Sequence, residues 1–156
     1  MPLEPISHAT EARACFGEIP IESLYTVGIA GERFFREIEE RARFVGTRCE
    51  ACDITYVPPR LYCERCFAQL DDWVEVGIQG RVYTYTILHL ALDGSRLEEP
   101  AIVAFVQLDG ADGGLVHRLG EVEPDQVEIG MRVEAVFKPE AEREGSILDI
   151  KWFRPL

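Results

Sequence analysis

From Asp72 onward, apolar and polar positions alternate with a period of two. The stretch Arg81–Leu90, RVYTYTILHL, alternates β-branched and aromatic residues, and Ala101–Leu108, AIVAFVQL, is apolar almost throughout, the pattern of a more fully buried strand. GLVHRLG is shorter, MRVEAVF sets Met131, Val133, Ala135 and Phe137 at alternate positions, and SILDIKWF follows near the carboxyl end. The pattern predicts five strands. LDGSRLEEP, DGADGG and KPEAEREG are turn-rich connections, and EPDQVEIG carries one helical turn between the third and fourth strands.

Alternation by itself specifies a small β-barrel or a sandwich. Five strands with a short helical turn after the third describe an OB-fold, a partly open barrel. Ahead of the strands the period changes. GERFFREIEERARFVG, residues 31–46, places Phe35, Ile38, Ala42 and Val45 at helical spacing along one face, with Phe34 and Phe44 widening it. Glu32 with Arg36, Glu37 with Arg41 and Glu39 with Arg43 form i,i+4 pairs in the favourable order on a solvated face, and Gly46 supplies the stop. Residues 1–30 lack periodicity but include Ile19, Ile21, Leu24, Tyr25, Val27 and Ile29, too apolar for a solvated tail. They are expected to form an arm that covers the chain's own core or a partner. The chain thus divides into an arm (1–30), a helix (31–46), a cysteine-rich segment (47–71) and a strand region (72–156).

The segment RCEACDITYVPPRLYCERCF, Arg48 to Phe67, holds four of the five cysteines as two C-x-x-C pairs, Cys49 with Cys52 and Cys63 with Cys66. Each such turn lets two sulfurs approach one ion while backbone N–H groups point at them. The residues between, DITYVPPRLY, read as two short extended pieces around Pro58 and Pro59, the form of a zinc-ribbon hairpin. A catalytic zinc keeps one position open for water, whereas four cysteines close the site, so structural zinc is expected. An electron-transfer iron site uses the same four ligands, and ligand count does not separate the two. Against iron, no flavin or haem motif is present and most of the chain would be left without a purpose. Cys15, alone in the arm, reads as a small apolar residue.

At 156 residues, 47% of them hydrophobic, the chain has room for one ordinary core. No run approaches the roughly 18 apolar residues of a membrane span, and MPLEPISHATEARACF lacks the basic start and apolar stretch of a secretory signal. A cytoplasmic protein without membrane contact is expected, and in that reducing compartment paired C-x-x-C motifs favour metal over disulfide. A formal charge of −12 opposes attraction to nucleic acid and anionic membranes. An OB surface that tracks nucleic acid needs a basic groove with exposed aromatics. Tyr83 and Tyr85 meet the aromatic half, but residues 72–156 hold sixteen acidic and eight basic side chains, so the electrostatic half fails.

Several of these residues recur as an ordered series. Gly31 and Phe35 precede Arg48 and the first cysteine pair; Pro58 and Pro59 precede C-x-x-C-F; then come Trp73 in WVEV, Gly80, Val82, Tyr83, Tyr85 and Thr86, and finally Ile129, Gly130, Met131 and Phe137. The series closely resembles the domain-of-unknown-function thirty-five family, acyl-CoA-associated proteins that join a rubredoxin-like zinc ribbon to an OB-fold. The resemblance runs from about Tyr25 to the carboxyl end. IESLYTVGIAGERFF is similar to members found beside thiolases and hydroxymethylglutaryl-CoA synthases. The resemblance implies a mainly β protein, with an N-terminal helix and zinc ribbon followed by a five-stranded OB-fold barrel. It implies a non-catalytic accessory or scaffold subunit of a thiolase-superfamily complex, built on a thiolase, a hydroxymethylglutaryl-CoA synthase or an aldolase. Such a subunit assists acyl-CoA binding or channelling at a shared site. Arg81 and Arg96 are then candidate CoA phosphate contacts, and Tyr25, Phe34, Phe35 and Ile38 candidate partner contacts. The chain departs from the family pattern in having Asp53 and Phe67, in place of glycine, after the second cysteine of each pair; of the two, aspartate tolerates a left-handed conformation better.

The residues give no independent sign of catalysis. His8 lies in the arm, His89 ends a strand and His117 sits within one, and no motif pairs any of them with a nucleophile. Ser95 lacks the strand-to-helix elbow of a hydrolase, and Gly28 and Gly31 precede a helix without a βαβ strand leading into them. A non-enzyme is expected. The competing functions are a nucleic-acid-binding zinc ribbon and OB-fold protein, and an iron-binding redox carrier.

Overall fold

The computed structural model describes residues 25–91 and 93–156. One helix, α1 (Gly28–Arg41), leads into β1 (Phe44–Cys49), β2 (Ile54–Tyr56) and β3 (Asp72–Val76). Five further strands follow: β4 (Gln79–Leu90), β5 (Arg96–Leu108), β6 (Gly114–Leu119), β7 (Arg132–Phe137) and β8 (Ile150–Pro155). The first three form an antiparallel sheet in the order β2-β1-β3, and the other five close into a barrel in the order β4-β5-β6-β8-β7. A 3-10 turn at Pro124–Gln126 stands between β6 and β7, at the place where a helical turn is predicted. The chain is mainly β, with helix, ribbon sheet and five-stranded barrel in the expected sequence.

Element boundaries differ from the expected ones in three places. The helix covers 28–41 rather than 31–46: Ala42 turns left-handed at φ 48, and the N–H groups of Ala42 and Arg43 close on the carbonyls of Ile38 and Glu37 at 3.0 and 3.4 Å. Phe44 and Val45 therefore begin β1 instead of ending the helix. Gly46 has another purpose than a stop, since a Cβ there would lie 2.6 Å from the Tyr56 carbonyl oxygen and hold β1 away from β2. The segment Asp72–Val76, expected in the strand region, pairs with β1 from Phe44↔Val76 to Arg48↔Asp72 and completes the ribbon sheet. The last strand starts only at Ile150, because Ile147–Asp149 is a 3-10 turn. The buried Asp149 carboxylate builds that turn by accepting the N–H groups of Glu144, Gly145 and Ser146 at 2.8–3.1 Å.

One hydrophobic cluster runs through helix, ribbon sheet and barrel. Phe34 and Ile38 come from α1, Phe44, Val45 and Val76 from the ribbon sheet, and Val82, Val106, Val133 and Phe153 from the barrel. Phe44, fully buried, is its junction, with ring centroids 6.1 Å from Phe34, 5.4 Å from Phe137 and 6.4 Å from Phe153. A second, smaller cluster of Cys49, Ile54, Tyr56, Cys63 and Leu70 surrounds the cysteines. Backbone contacts also dock the ribbon on the barrel. The Asp112 N–H donates to the Thr55 carbonyl at 3.0 Å, and the Thr55 N–H donates to Asp112 Oδ2 at 2.8 Å. A Cβ at neighbouring Gly113 would meet the Val57 carbonyl oxygen at 2.5 Å, so the loop after β5 approaches the ribbon as closely as glycine allows.

A four-cysteine centre at the end of the ribbon sheet

Strand β1 delivers Cys49, the turn into β2 delivers Cys52, and the loop beyond Pro59 brings back Cys63 and Cys66. Their four Sγ atoms lie within 4.8 Å of one another, with Cys49 and Cys66 at 3.6 Å. Four thiolates about 2.3 Å from a common ion stand about 3.8 Å apart at tetrahedral angles, so the spacing fits a shared metal ion. The donor set is sulfur alone, and it fills all four positions of a tetrahedron. Cys49 and Cys63 are buried and Cys66 is exposed, so the centre has one side toward solvent.

The protein prepares one thiol for this task. Cys63 is held down to about 6, first by the Tyr56 hydroxyl 3.3 Å from its sulfur and then by the N–H groups of Cys66 and Arg65. Tyr56, which supplies that hydrogen bond, is itself pushed up to about 12. Cys52 goes the other way, to about 12, because it shares a proton with Cys66 and is then desolvated. Cys63 thus gives up its proton more readily than Cys49 or Cys52, and protonated thiols release their protons as an ion takes their place.

Both turns after the second cysteine are left-handed, with φ of 52 at Asp53 and 59 at Phe67. Asp53, a residue type that tolerates this conformation, accepts a hydrogen bond from Arg48 at 2.7 Å at the surface. Phe67 is 79% exposed and gains little from packing. The geometry that glycine would supply is kept without glycine, at a cost of about 1–2 kcal/mol for the phenylalanine.

The other candidate site residues scatter. Arg81 pairs across the sheet with Gln107 and Arg96 with Leu90, nine residues further along β4. They lie toward opposite ends of β4, with at most about 30 Å between them at about 3.3 Å per residue. Phe34 and Ile38, expected at a partner surface, are 1% and 0% exposed in the chain's own core, because the ribbon strands and barrel already cover that face of α1. Phe35 is half-buried and Tyr25 is 88% exposed. Tyr83 is exposed edge-on to Phe105, whereas Tyr85 packs on the core. His89 is exposed and His117 half-buried. His8, Cys15 and the arm through Leu24 lie outside the described residues. Sequence reasoning missed Tyr56, whose role needs the return of Cys63 beside it, and Thr47; a threonine among the apolar residues of FVGT was the available signal.

A thiol-lined ribbon sheet docked on a closed five-stranded OB barrel defines a two-part protein, and both parts match known families. Residues 36–71 match the profile described as ChsH2, rubredoxin-like zinc ribbon domain, and residues 73–138 match ChsH2, C-terminal OB-fold domain. The chain is 32% identical over 107 residues to a DUF35 domain-containing scaffold protein of Methanocaldococcus jannaschii, covering 68% of this chain and 75% of the relative. The chain belongs to the DUF35 family. Among solved structures, it resembles a DUF35-family protein of unknown function from Sulfolobus solfataricus with a TM-score of 0.62 at 25% identity, covering 82% of this chain and 84% of the other. It also resembles the Ltp2-ChsH2(DUF35) aldolase with a TM-score of 0.58 at 32% identity, covering 80% and 93%.

Proposed function

We propose that this chain is a cytoplasmic, non-catalytic scaffold subunit that binds a thiolase-superfamily enzyme and helps it hold or channel acyl-CoA. One observation carries the reading. Both modules together, over 80% of this chain, align with a chain of the Ltp2-ChsH2(DUF35) aldolase. The name of the Methanocaldococcus relative, a scaffold protein, supports the same role. So does the metal centre. Four cysteines spent on one tetrahedral ion leave no coordination position for an activated water, which supports an ion, zinc in this proposal, that shapes the ribbon rather than a catalytic one. The partner contacts the amino-terminal edge of the described chain, where Tyr25, Val27 and Ile29 are 88%, 59% and 73% exposed, with Phe35 beside them.

Purification from the native host followed by identification of co-purifying proteins tests this. A thiolase-superfamily enzyme at fixed stoichiometry is the expected companion, and the isolated chain should turn over no acyl-CoA thioester until that enzyme is added. Recovery with nucleic acid alone, or turnover by the isolated chain, would overturn it.

A further inference from the structure

The phenol of Tyr56 has a place at the four-cysteine centre that the cysteine spacing does not account for. Tyr56 ends β2 at 7% exposure, and its hydroxyl lies 3.3 Å from Sγ of the fully buried Cys63. Among the described residues it is the one side chain other than a cysteine that hydrogen-bonds any of the four sulfurs. A backbone donor, the Arg65 N–H, reaches the same sulfur at 3.4 Å.

The direction of the Tyr56 bond depends on the state of the cysteine. A thiol and a phenol can each donate to the other, so with Cys63 protonated the contact is free to run either way. A sulfur that ligates a metal has no proton left to give. The contact then has one form only, with the Tyr56 O–H donating to Cys63 Sγ. Metal binding and this hydrogen bond therefore reinforce one another, and the phenol takes up part of the sulfur's charge.

The ring is held for that task. Across the sheet Tyr56 pairs with Thr47, and it packs with Ile54 and Leu70 in the small cluster around the cysteines. The residues on either side of it in sequence are the two that meet the barrel: Thr55 exchanges hydrogen bonds with Asp112, and the Val57 backbone lies against Gly113. The Arg60 guanidinium stands over the ring, 5.1 Å from its centroid, where a cation draws on the ring's electrons and strengthens its O–H as a donor. A donor fixed from this many sides has no reorganisation to undergo when an ion arrives.

We propose that Tyr56 is a positioning residue of the metal centre: its hydroxyl donates to the metal-bound Cys63 sulfur, fixes the orientation of that ligand and lowers its donation of charge to the ion. The inference takes the metal from the reading above and is independent of the scaffold role.

Cobalt(II) in place of zinc makes the sulfur-to-metal charge-transfer band observable, and the full chain can be compared with Tyr56→Phe, which deletes only the hydroxyl. The band should move to longer wavelength in Tyr56→Phe, because a sulfur without its hydrogen bond gives up an electron more easily. Competition with a chelator should show zinc held at least about tenfold more weakly. Replacement of Tyr56 by meta-fluorotyrosine, a stronger donor of nearly the same shape, should move the band the opposite way, and this arm reads the bond even where Tyr56→Phe takes up no metal. Tyr62→Phe, in the same loop as the second cysteine pair but 60% exposed, should match the wild-type chain. A band unmoved by both Tyr56 replacements would overturn the proposal and leave the metal centre standing, any weaker hold on zinc then being a matter of packing. An equal shift in Tyr62→Phe, or an unchanged zinc affinity in Tyr56→Phe, would overturn it as well. A wild-type chain that takes up neither cobalt nor zinc would remove the metal centre itself, and the proposal with it.

Discussion

Thr47 and Arg60 share two hydrogen bonds through one hydroxyl: the buried Thr47 Oγ1 donates to the Arg60 carbonyl at 2.8 Å and accepts the Arg60 N–H at 2.9 Å. The pair ties the segment after Pro59 to β1, two residues before Cys49, and so sets where the second cysteine pair returns. Thr47→Val keeps the shape and strands both backbone groups, at about 1–3 kcal/mol each. Denaturant unfolding of the zinc-loaded chain should show a loss of about 2–4 kcal/mol, whereas Thr47→Ser, which keeps the hydroxyl, should lose less than half of that.

At Phe67 the expected change has the opposite sign. Replacement by glycine removes the left-handed penalty and loses little packing, while the freer unfolded chain takes back about 0.5–1 kcal/mol. Phe67→Gly should therefore raise the stability of the isolated, zinc-loaded chain by about 0.5–1 kcal/mol. A loss of stability would mean that the exposed ring packs on something within the chain.

Metal analysis should find about one zinc per chain with negligible iron. Because the cysteines have their own small hydrophobic cluster, Cys63→Ser or chelation should act locally. Hydrogen exchange should quicken from Cys49 through Leu70, while β4 to β8, built on the larger cluster, keep their protection. Iron at comparable occupancy, with a reversible visible absorbance, would reassign the centre to electron transfer.

His117 gives the fold an acid sensitivity of definite sign. Desolvation is the main cause of its lowered pKa; hydrogen bonds to the Ile147 and Arg118 backbone oppose it, and the Arg118 charge lowers it by the smallest amount, while Lys138 and Lys151 line the groove that His117 borders between β6 and β8. Since the unfolded histidine titrates near pH 6.5, protons bind the unfolded chain first. The neutral ring's contribution is complete above about pH 6.5 and is lost as pH falls toward the folded value. Melting temperatures between pH 7.5 and 5.5 should fall more for the wild-type chain than for His117→Gln. Asp149 does not intrude in this window. Burial alone would raise it, but the N–H groups of Ser146, Glu144 and Gly145 outweigh that and hold it low, so its contribution is lost only below about pH 4.

Much of this was legible in the sequence, and the failures have physical causes. The cysteine spacing and the period-two strands are local signals, and each led to its element. Phe44 and Val45 continued a helical period, yet pairing of β1 on both edges drew them into a sheet, and only the fold shows that Gly46 is small for Tyr56. Phe34 and Ile38 read as an apolar face in need of a cover, and sequence does not say whether the cover is the same chain or another. The pairing of Tyr56 with Cys63 is absent from any local pattern, because it arises only when the loop between them folds back.

The reciprocal bonds between Thr55 and Asp112, with the Val57 backbone against Gly113, also set how this molecule measures distance. With the Phe44 junction beneath them, they tie the ribbon to the barrel at more than one place. Tied in this way, the two parts form a caliper, with the cysteine centre at one jaw and the seam between β6 and β8 at the other. Any companion that touches both jaws is gauged in a single step: after the first contact the second is already in place, without a search by a loose domain and without its entropy. Lengthening the 109–113 loop would leave each jaw intact and spoil the gauge.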